Sequence, residues 1–325
     1  MLLLDSNIVG NLDLYFNNIN YSKEHDDRSL LVHDLLTFTA KSKWDFNYNF
    51  YLLESLLNNG PNDFIKSSLD SLININRVLM LNNDQFLESG SVTICDETFR
   101  FYCEKYNSNS VEEISLSILK QKLNSWPTAK SMGLAMKISY ICLIEMFLIH
   151  KTSKKSVPKK MEEFLNFIDE KIRNKMGVEE ILAIHYFFNK FNSFFKIELN
   201  SSFMKCSSNL KATSRDLYFI RMIEDFFGSS LPTVAKYCYI CTFEHSIKEL
   251  FDILKPSLIK VENNRVSLSI RNFDFKYLEN EKNIDTVIDY YINKKRFGNR
   301  KPLTESEIEL LVCESESRLK NILKS

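Results

Sequence analysis

Apolar and polar positions follow two periods along this chain, a strand-like one in a few short runs and a helical one almost everywhere else. Leu2, Leu3 and Leu4 form an apolar run too short for a helix. It stops at Asp5, Ser6 and Asn7, which predicts a short buried strand ending in a turn. Apolar residues recur at helical spacing over 28–41 and 48–59, where Asn58, Asn59, Gly60 and Pro61 form a stop signal, and again over 63–79. Residues 91–95 predict a short strand and 112–123 a helix. From 128 to 195 nearly everything has helical spacing, interrupted by the basic loop 151–160. After a polar stretch at 206–209, Ser214 opens a predicted helix to Phe227, closed by Gly228 and Pro232. Residues 234–243 are almost continuously apolar, as in a parallel strand covered on both faces. Ser246 and Glu249 are spaced as a capping box for the next helix. Residues 257–261 and 265–270 pair as a hairpin through Asn263 and Asn264, and helices from Asn283 and Thr304 complete the pattern.

Composition narrows the classes. A chain of 325 residues with 44% apolar and 13% aromatic content has material for a substantial core, which excludes disorder as its main state. Only 7 glycines and 6 prolines argue against sandwiches of tight-turned strands and against glycine-rich phosphate loops. Lys and Arg number 42 against 42 Asp and Glu, so the net charge is zero and any charged function must be local. The seven cysteines are an odd number set mostly among apolar neighbours, with no secretory leader, which fits a reducing cytoplasm. Cys238 and Cys241 make a CxxC pair inside an apolar run, where buried structural cysteines are favoured over a zinc or redox pair. The most apolar helical stretch, 138–149, is about twelve residues long, carries Glu145 and is too short to span a bilayer. No membrane partner and no targeting segment are expected. The common nucleotide-binding and hydrolase signatures are absent.

Four acids stand in unusual local settings. Asp5 and Glu244 each follow a short apolar run, so both are expected at the carboxyl edge of a sheet, where open α/β sheets bind ligands. Strands also commonly end in polar residues. Asp216, placed in the first turn of the predicted helix, suits the helix dipole. Steps of three and four from it reach Phe219, Ile220, Ile223 and Phe227, so its carboxylate also heads the apolar stripe. Glu54 borders an apolar face made by Phe50, Leu53 and Leu57. Four carboxylates brought together repel one another unless cations neutralise them, and oxygen-only ligands select Mg²⁺ or Mn²⁺. Such a cluster activates water for phosphodiester hydrolysis.

These residues resemble the PIN-domain nucleases. Leu2 to Leu4 followed by Asp5, Ser6 and Asn7 looks like that family's opening strand and Asp-x-Asn turn; Glu54 matches its second acid on a helix, and Asp216 a third acid on a late helix. Thr242, Phe243 and Glu244 resemble the Thr-x-Asp motif that closes its next strand, with Glu in place of the commoner Asp. The resemblance covers about 1–60 and 210–256. It implies an α/β fold: a PIN-like parallel-sheet core with helices on both faces, a mainly α-helical insertion and a C-terminal hairpin and helical extension. The implied domains are a discontinuous core of 1–60 and 206–256, an insertion at 61–205, and an extension at 257–325. It further implies a metal-dependent endonuclease cutting RNA in preference to DNA, with Asp5, Glu54, Asp216 and Glu244 binding Mg²⁺ or Mn²⁺. Asn7, Arg215, Thr242 and His245 would meet the substrate or orient the site. By analogy it suggests control by a regulatory protein, as for the toxic effector of a toxin–antitoxin or phage-defence system. The alternative is a catalytically inactive scaffold serving as a protein-interaction subunit, which Glu at 244 and the neutral charge favour.

Other clusters are weaker. The lysines of 151–160 and the basic residues of 294–301 could neutralise a nucleic-acid backbone or be solvated loops balanced by nearby acids. Asp96 and Glu97 form a reserve strand-end acid pair, and His33, His150 and His185 share no ligand spacing.

Overall fold

The fold was taken from a computed structural model, which describes residues 2–17, 27–195, 197, 201–229, 239–242, 245–254, 256–262, 265–271, 278, 281–293 and 301–324. The chain forms two compact units, one of Met1–Ser131 with Leu231–Phe243 and the other of Met132–Ser230 with Glu244–Ser325.

In the first unit, β1 (Leu2–Leu4) is buried throughout and leads directly into α1 (Ser6–Asn17). The helix α2 (Asp27–Ser42) follows, then β2 (Phe46–Asn47), α3 (Asn49–Leu79), α4 (Asn83–Ser89), α5 (Asp96–Tyr106) and α6 (Val111–Leu123). The strand β3 (Tyr239–Cys241) completes a three-stranded sheet of order β2-β1-β3. Both pairings are parallel, with Leu2 opposite Phe46 and Tyr239, and Leu4 opposite Cys241. The central strand β1 therefore releases its last side chains at one carboxyl edge together with its neighbours.

The expected stop at Gly60 and Pro61 is a kink between two helical stretches of α3. Gly60 has φ 70° and ψ 168°, a conformation essentially restricted to glycine. Pro61 has no N–H to lose at the start of the second stretch. The hydroxyls of Ser55 and Ser68, both buried, bond across the kink at 2.6 Å. A Cβ at Gly60 would meet nothing within 4 Å, so only backbone strain opposes a side chain there. Gly60→Ala is expected to destabilise the unit by about 1–3 kcal/mol, measured by urea unfolding; an unchanged midpoint would mean that the kink relaxes freely. Two buried polar contacts fix α3 against its neighbours. Asn74 and Ser71 donate to the Asp13 carboxylate on α1, the former at 2.9 Å, and Asn76 donates to Ser115 on α6 at 2.8 Å. The predicted strand at 91–95 reduces to a single bridge between Leu81 and Ile94.

Among its described residues, the second unit is helical apart from one hairpin. Its helices are α7 (Trp126–Thr152), α8 (Val157–Phe167) running into a π-helical turn at Ile168–Ile172, α9 (Gly177–Phe187), α10 (Asn192–Phe195), α11 (Phe203–Ser229), α12 (His245–Leu254), α13 (Ile284–Asn293) and α14 (Glu305–Lys324). The strands β4 (Pro256–Glu262) and β5 (Arg265–Arg271) pair antiparallel as the expected hairpin. Residues 140–149 of α7 and 178–187 of α9 are buried on every face, as in central helices of an α-helical core. Being 27 residues long, α7 has the length and composition to cross a membrane, longer than the apolar run of 138–149 suggested. Its most apolar window, however, is 72% buried inside the protein, as a core helix is.

Two of the buried acids of this core are held by arginines. Glu179, fully buried, accepts from Ser139 at 2.6 Å and pairs with Arg221, which also donates to Ser139 at 2.9 Å. Glu145 takes a two-pronged bond from Arg318, at 2.6 and 3.2 Å. Burial pushes the neighbouring Cys142 thiol well up, with Glu179 adding to the shift. At the start of α14, Thr304 and Glu307 form a reciprocal capping box, with N–H to oxygen distances of 2.8 and 3.3 Å. Those bonds, with Arg173 beside them, lower the Glu307 carboxyl to about 2.

The fold class therefore differs from the expected α/β parallel-sheet core. The described residues are mostly helical, and the parallel sheet has strands of only three, two and three residues. Strands this short bury a small patch, and helix-on-helix packing supplies most of the core. The apolar run at 234–243, expected as a long central strand, is described only from Tyr239, where β3 occupies three residues; 230–238 lie outside the described residues. A second correction concerns α11. It begins at Phe203, not at Ser214, and takes in the polar stretch expected as a loop. The hydroxyls that suggested a loop and a cap are satisfied inside the helical unit. Ser207 bonds Tyr140 at 2.8 Å, Thr213 donates to the Phe194 carbonyl at 3.1 Å, and Ser214 donates back to the Lys211 carbonyl at 2.8 Å.

Candidate functional site

The last residue before α1 is Asp5, which ends β1 at the carboxyl edge of the sheet and is 6% exposed. Its N–H continues the β1–β3 ladder to the Cys241 carbonyl at 3.1 Å, and its own carbonyl accepts from Ile8 and Val9 at 3.0 and 3.3 Å. One residue thus closes a strand and opens a helix, which puts the carboxylate at the positive end of α1. Its Oδ2 accepts from the Thr242 hydroxyl at 2.8 Å and from the Asn7 side-chain amide at 3.2 Å. Thr242 reaches Asp5 because β3 pairs in register with β1 and ends one residue before it. Burial and the nearby Asp5 push the Cys241 thiol up to about 12, so at neutral pH it is a protonated structural thiol.

On α3, half-buried Glu54 receives on Oε2 a hydrogen bond from Ser6, the residue after Asp5. Ser6 is a positioning residue that local sequence reasoning did not find. Its partner is 48 residues away, and only the packing of α1 against α3 brings the two together.

The first unit thus joins Asp5, Asn7 and Thr242 by direct hydrogen bonds and ties Glu54 to the residue beside Asp5. No protein-family model, curated protein or solved structure matches this chain. Chemistry must therefore be argued from the side chains alone.

The remaining expected site residues belong to the second unit. Asp216 and Arg215 are half-buried in the body of α11, thirteen and twelve residues from its start at Phe203, so the dipole argument made for a first-turn Asp216 does not hold. Of the expected apolar stripe, Phe219 and Ile220 are buried, and the side chains of Ile223 and Phe227 lie outside the described residues. Glu244 lies outside the described residues. His245 is the first residue of α12, and its side chain also lies outside them. Among the described residues, no group of three or more His, Cys, Asp or Glu is arranged to hold a metal ion.

The other sequence candidates resolve more simply. Lys155 and Lys159 pair with Glu163 and Glu162 at 3.0 and 2.7 Å, so those two lysines of the 151–160 loop are balanced at the surface. The exposed acids Asp96 and Glu97 sit in the first turn of α5 and suit its dipole. His150 packs on Tyr186 with ring centroids 4.6 Å apart and planes tilted by 48°, and burial, with Lys160 and Lys151 adding to it, lowers its pKa.

Proposed function

We propose that this protein is a metal-dependent endonuclease that hydrolyses phosphodiester bonds, in RNA in preference to DNA, and that it acts in the cytoplasm. The observation supporting it most is the buried Asp5 carboxylate at the carboxyl end of the central strand, fixed on one oxygen by Thr242 and Asn7.

The donor set is all oxygen, from Asp5 and Glu54 with the Thr242 hydroxyl beside them, which fits a hard cation and not zinc. Asp5 and Glu54 are the residues that would hold Mg²⁺ or Mn²⁺. A bound ion of this kind supplies a nucleophilic water and stabilises charge on the phosphate. Thr242 and Asn7 hold Oδ2 of Asp5 in place, and Ser6 fixes the rotamer of Glu54. Asp216 and Glu244 stay in the reading on sequence grounds, and Asp216→Asn and Glu244→Gln test each of them. The free thiols of Cys95, Cys103 and Cys313 fit a reducing compartment.

The test is incubation of the purified full chain with end-labelled RNA and DNA oligonucleotides in Mn²⁺, Mg²⁺ or EDTA. The expected result is internal cleavage of RNA that requires the metal and disappears in EDTA. No cleavage of RNA or DNA in either metal would overturn the enzyme reading and leave the interaction-subunit alternative.

A further inference from the structure

Beside the same sheet edge, the first unit has a cleft of about 550 Å³. Because β2 is parallel to β1, with Asn47 opposite Leu3, the residues after Asn47 leave the sheet on the edge where Asp5 leaves it. Tyr48 and Asn49 thereby line the cleft, and α5 and α6 supply Tyr102, Lys105, Tyr106 and Lys122.

The helix α5 is unusual in this protein. None of its eleven residues is buried, yet it carries Phe101, Tyr102 and Tyr106. Phe101 is exposed, and Tyr102 and Tyr106 are half-buried along the cleft. Tyr102 and Tyr106 stack with centroids 6.2 Å apart and planes 18° from parallel, and Lys105 Nζ lies 5.8 and 5.3 Å from their centroids. One helical face therefore presents two π surfaces with an ammonium over them. On the opposite wall, half-buried Lys122 donates to the Asn49 side-chain carbonyl at 3.1 Å. Burial lowers the Lys122 pKa, an unfavourable setting for a cation that an anionic ligand would improve. Asp45 is the acid among the lining residues, so two lysines against one carboxylate leave the cleft net positive.

We propose that this cleft binds an unpaired stretch of nucleic acid, with bases stacked on Tyr102 and Tyr106 and phosphates neutralised by Lys105 and Lys122. Exposed rings interleaved with lysines are how proteins hold single strands without reading sequence, whereas a duplex hides its base faces from such a surface. The inference deepens the nuclease reading by assigning its substrate, and it rests on that reading for the consequence of binding.

Binding is measured without metal, so that it is independent of cleavage. Fluorescence anisotropy of labelled rU12, dT12 and a twelve-base-pair duplex is followed with the full-length protein in EDTA. Both single strands are expected to bind better than the duplex, and the rU12 to dT12 ratio reports whether the 2′-hydroxyl is read. Tyr102→Ala and Tyr106→Ala should each weaken rU12 binding by roughly tenfold, and neither removes a buried side chain. Lys105→Gln should lower the slope of log affinity against log salt by about 0.7, the value for one phosphate contact on a single strand. Duplex binding equal to single-strand binding, or rU12 affinity unchanged in both tyrosine variants with circular dichroism as in wild type, would overturn the cleft. Cleavage lost with binding intact would instead overturn the nuclease reading alone.

Discussion

Asp5→Asn should lower metal-dependent cleavage by about 10²–10³-fold, the usual effect of deleting one group that stabilises developing charge in an active site, while leaving the fold in place. The two halves of this expectation come from the same geometry. Asn keeps an acceptor oxygen where Thr242 and Asn7 donate at 2.8 and 3.2 Å, so the strand edge and the start of α1 retain their bonds. What is lost is the negative charge, which matters only if a cation is held there. Asp5→Ala is the contrasting variant, because it removes the oxygen to which Thr242 and Asn7 both donate and should cost about 1–3 kcal/mol in stability as well. Rates of oligonucleotide cleavage with thermal unfolding curves separate the cases. An Asp5→Asn protein that cuts at the wild-type rate would remove Asp5 from the chemistry.

The largest stability effect is expected in the second unit. Arg221→Met should destabilise the second unit by roughly 3–5 kcal/mol, because it leaves the fully buried Glu179 as an uncompensated charge. Ser139 would still donate to one carboxylate oxygen, at 2.6 Å, but a single hydroxyl does not offset the loss of a guanidinium. Replacing both partners, Arg221→Met with Glu179→Leu, should recover most of the loss, since an apolar pair of similar volume has no charge to bury. Urea unfolding of the two variants and the wild type is the measurement. A single variant within about 1 kcal/mol of wild type, the range of exposed pairs, would show that water reaches Glu179 and that the pair behaves as a surface one.

Parts of this fold are legible in the sequence because their signals are local. The strand at Leu2–Leu4, the helices at 28–41 and 112–123, and the hairpin at 256–271 each carry their period and their turn within a dozen residues or so. The fold class was not legible, because the size of a sheet depends on pairing between distant segments, and a run of apolar residues at 234–243 looks the same whether three residues pair or ten. The start of α11 was missed for a different reason. Ser207, Thr213 and Ser214 resemble loop and cap residues until their partners on Tyr140, Phe194 and Lys211 are known. At the site, Asp5 and Thr242 were readable as residues ending apolar runs, whereas the support of Glu54 by Ser6 depends on a helix contact with no sequence signature. The cleft did leave a trace. Tyr102, Lys105 and Tyr106, at spacings of three and four, share one face of α5, a pattern distinguishable from a core stripe only once that helix is known to bury nothing.

The hydrogen bond that fixes Asp5 joins residues 237 positions apart. A ribosome making this chain releases Asp5, β2 and Glu54 long before the strand that brings Thr242. Contacts of such sequence separation form last and slowly. On the nuclease reading, a half-made chain holds an acid without its clamp and stays inert beside the message that encodes it. Long-range pairing in this small sheet then acts as a timer, tying the appearance of activity to the emergence of β3.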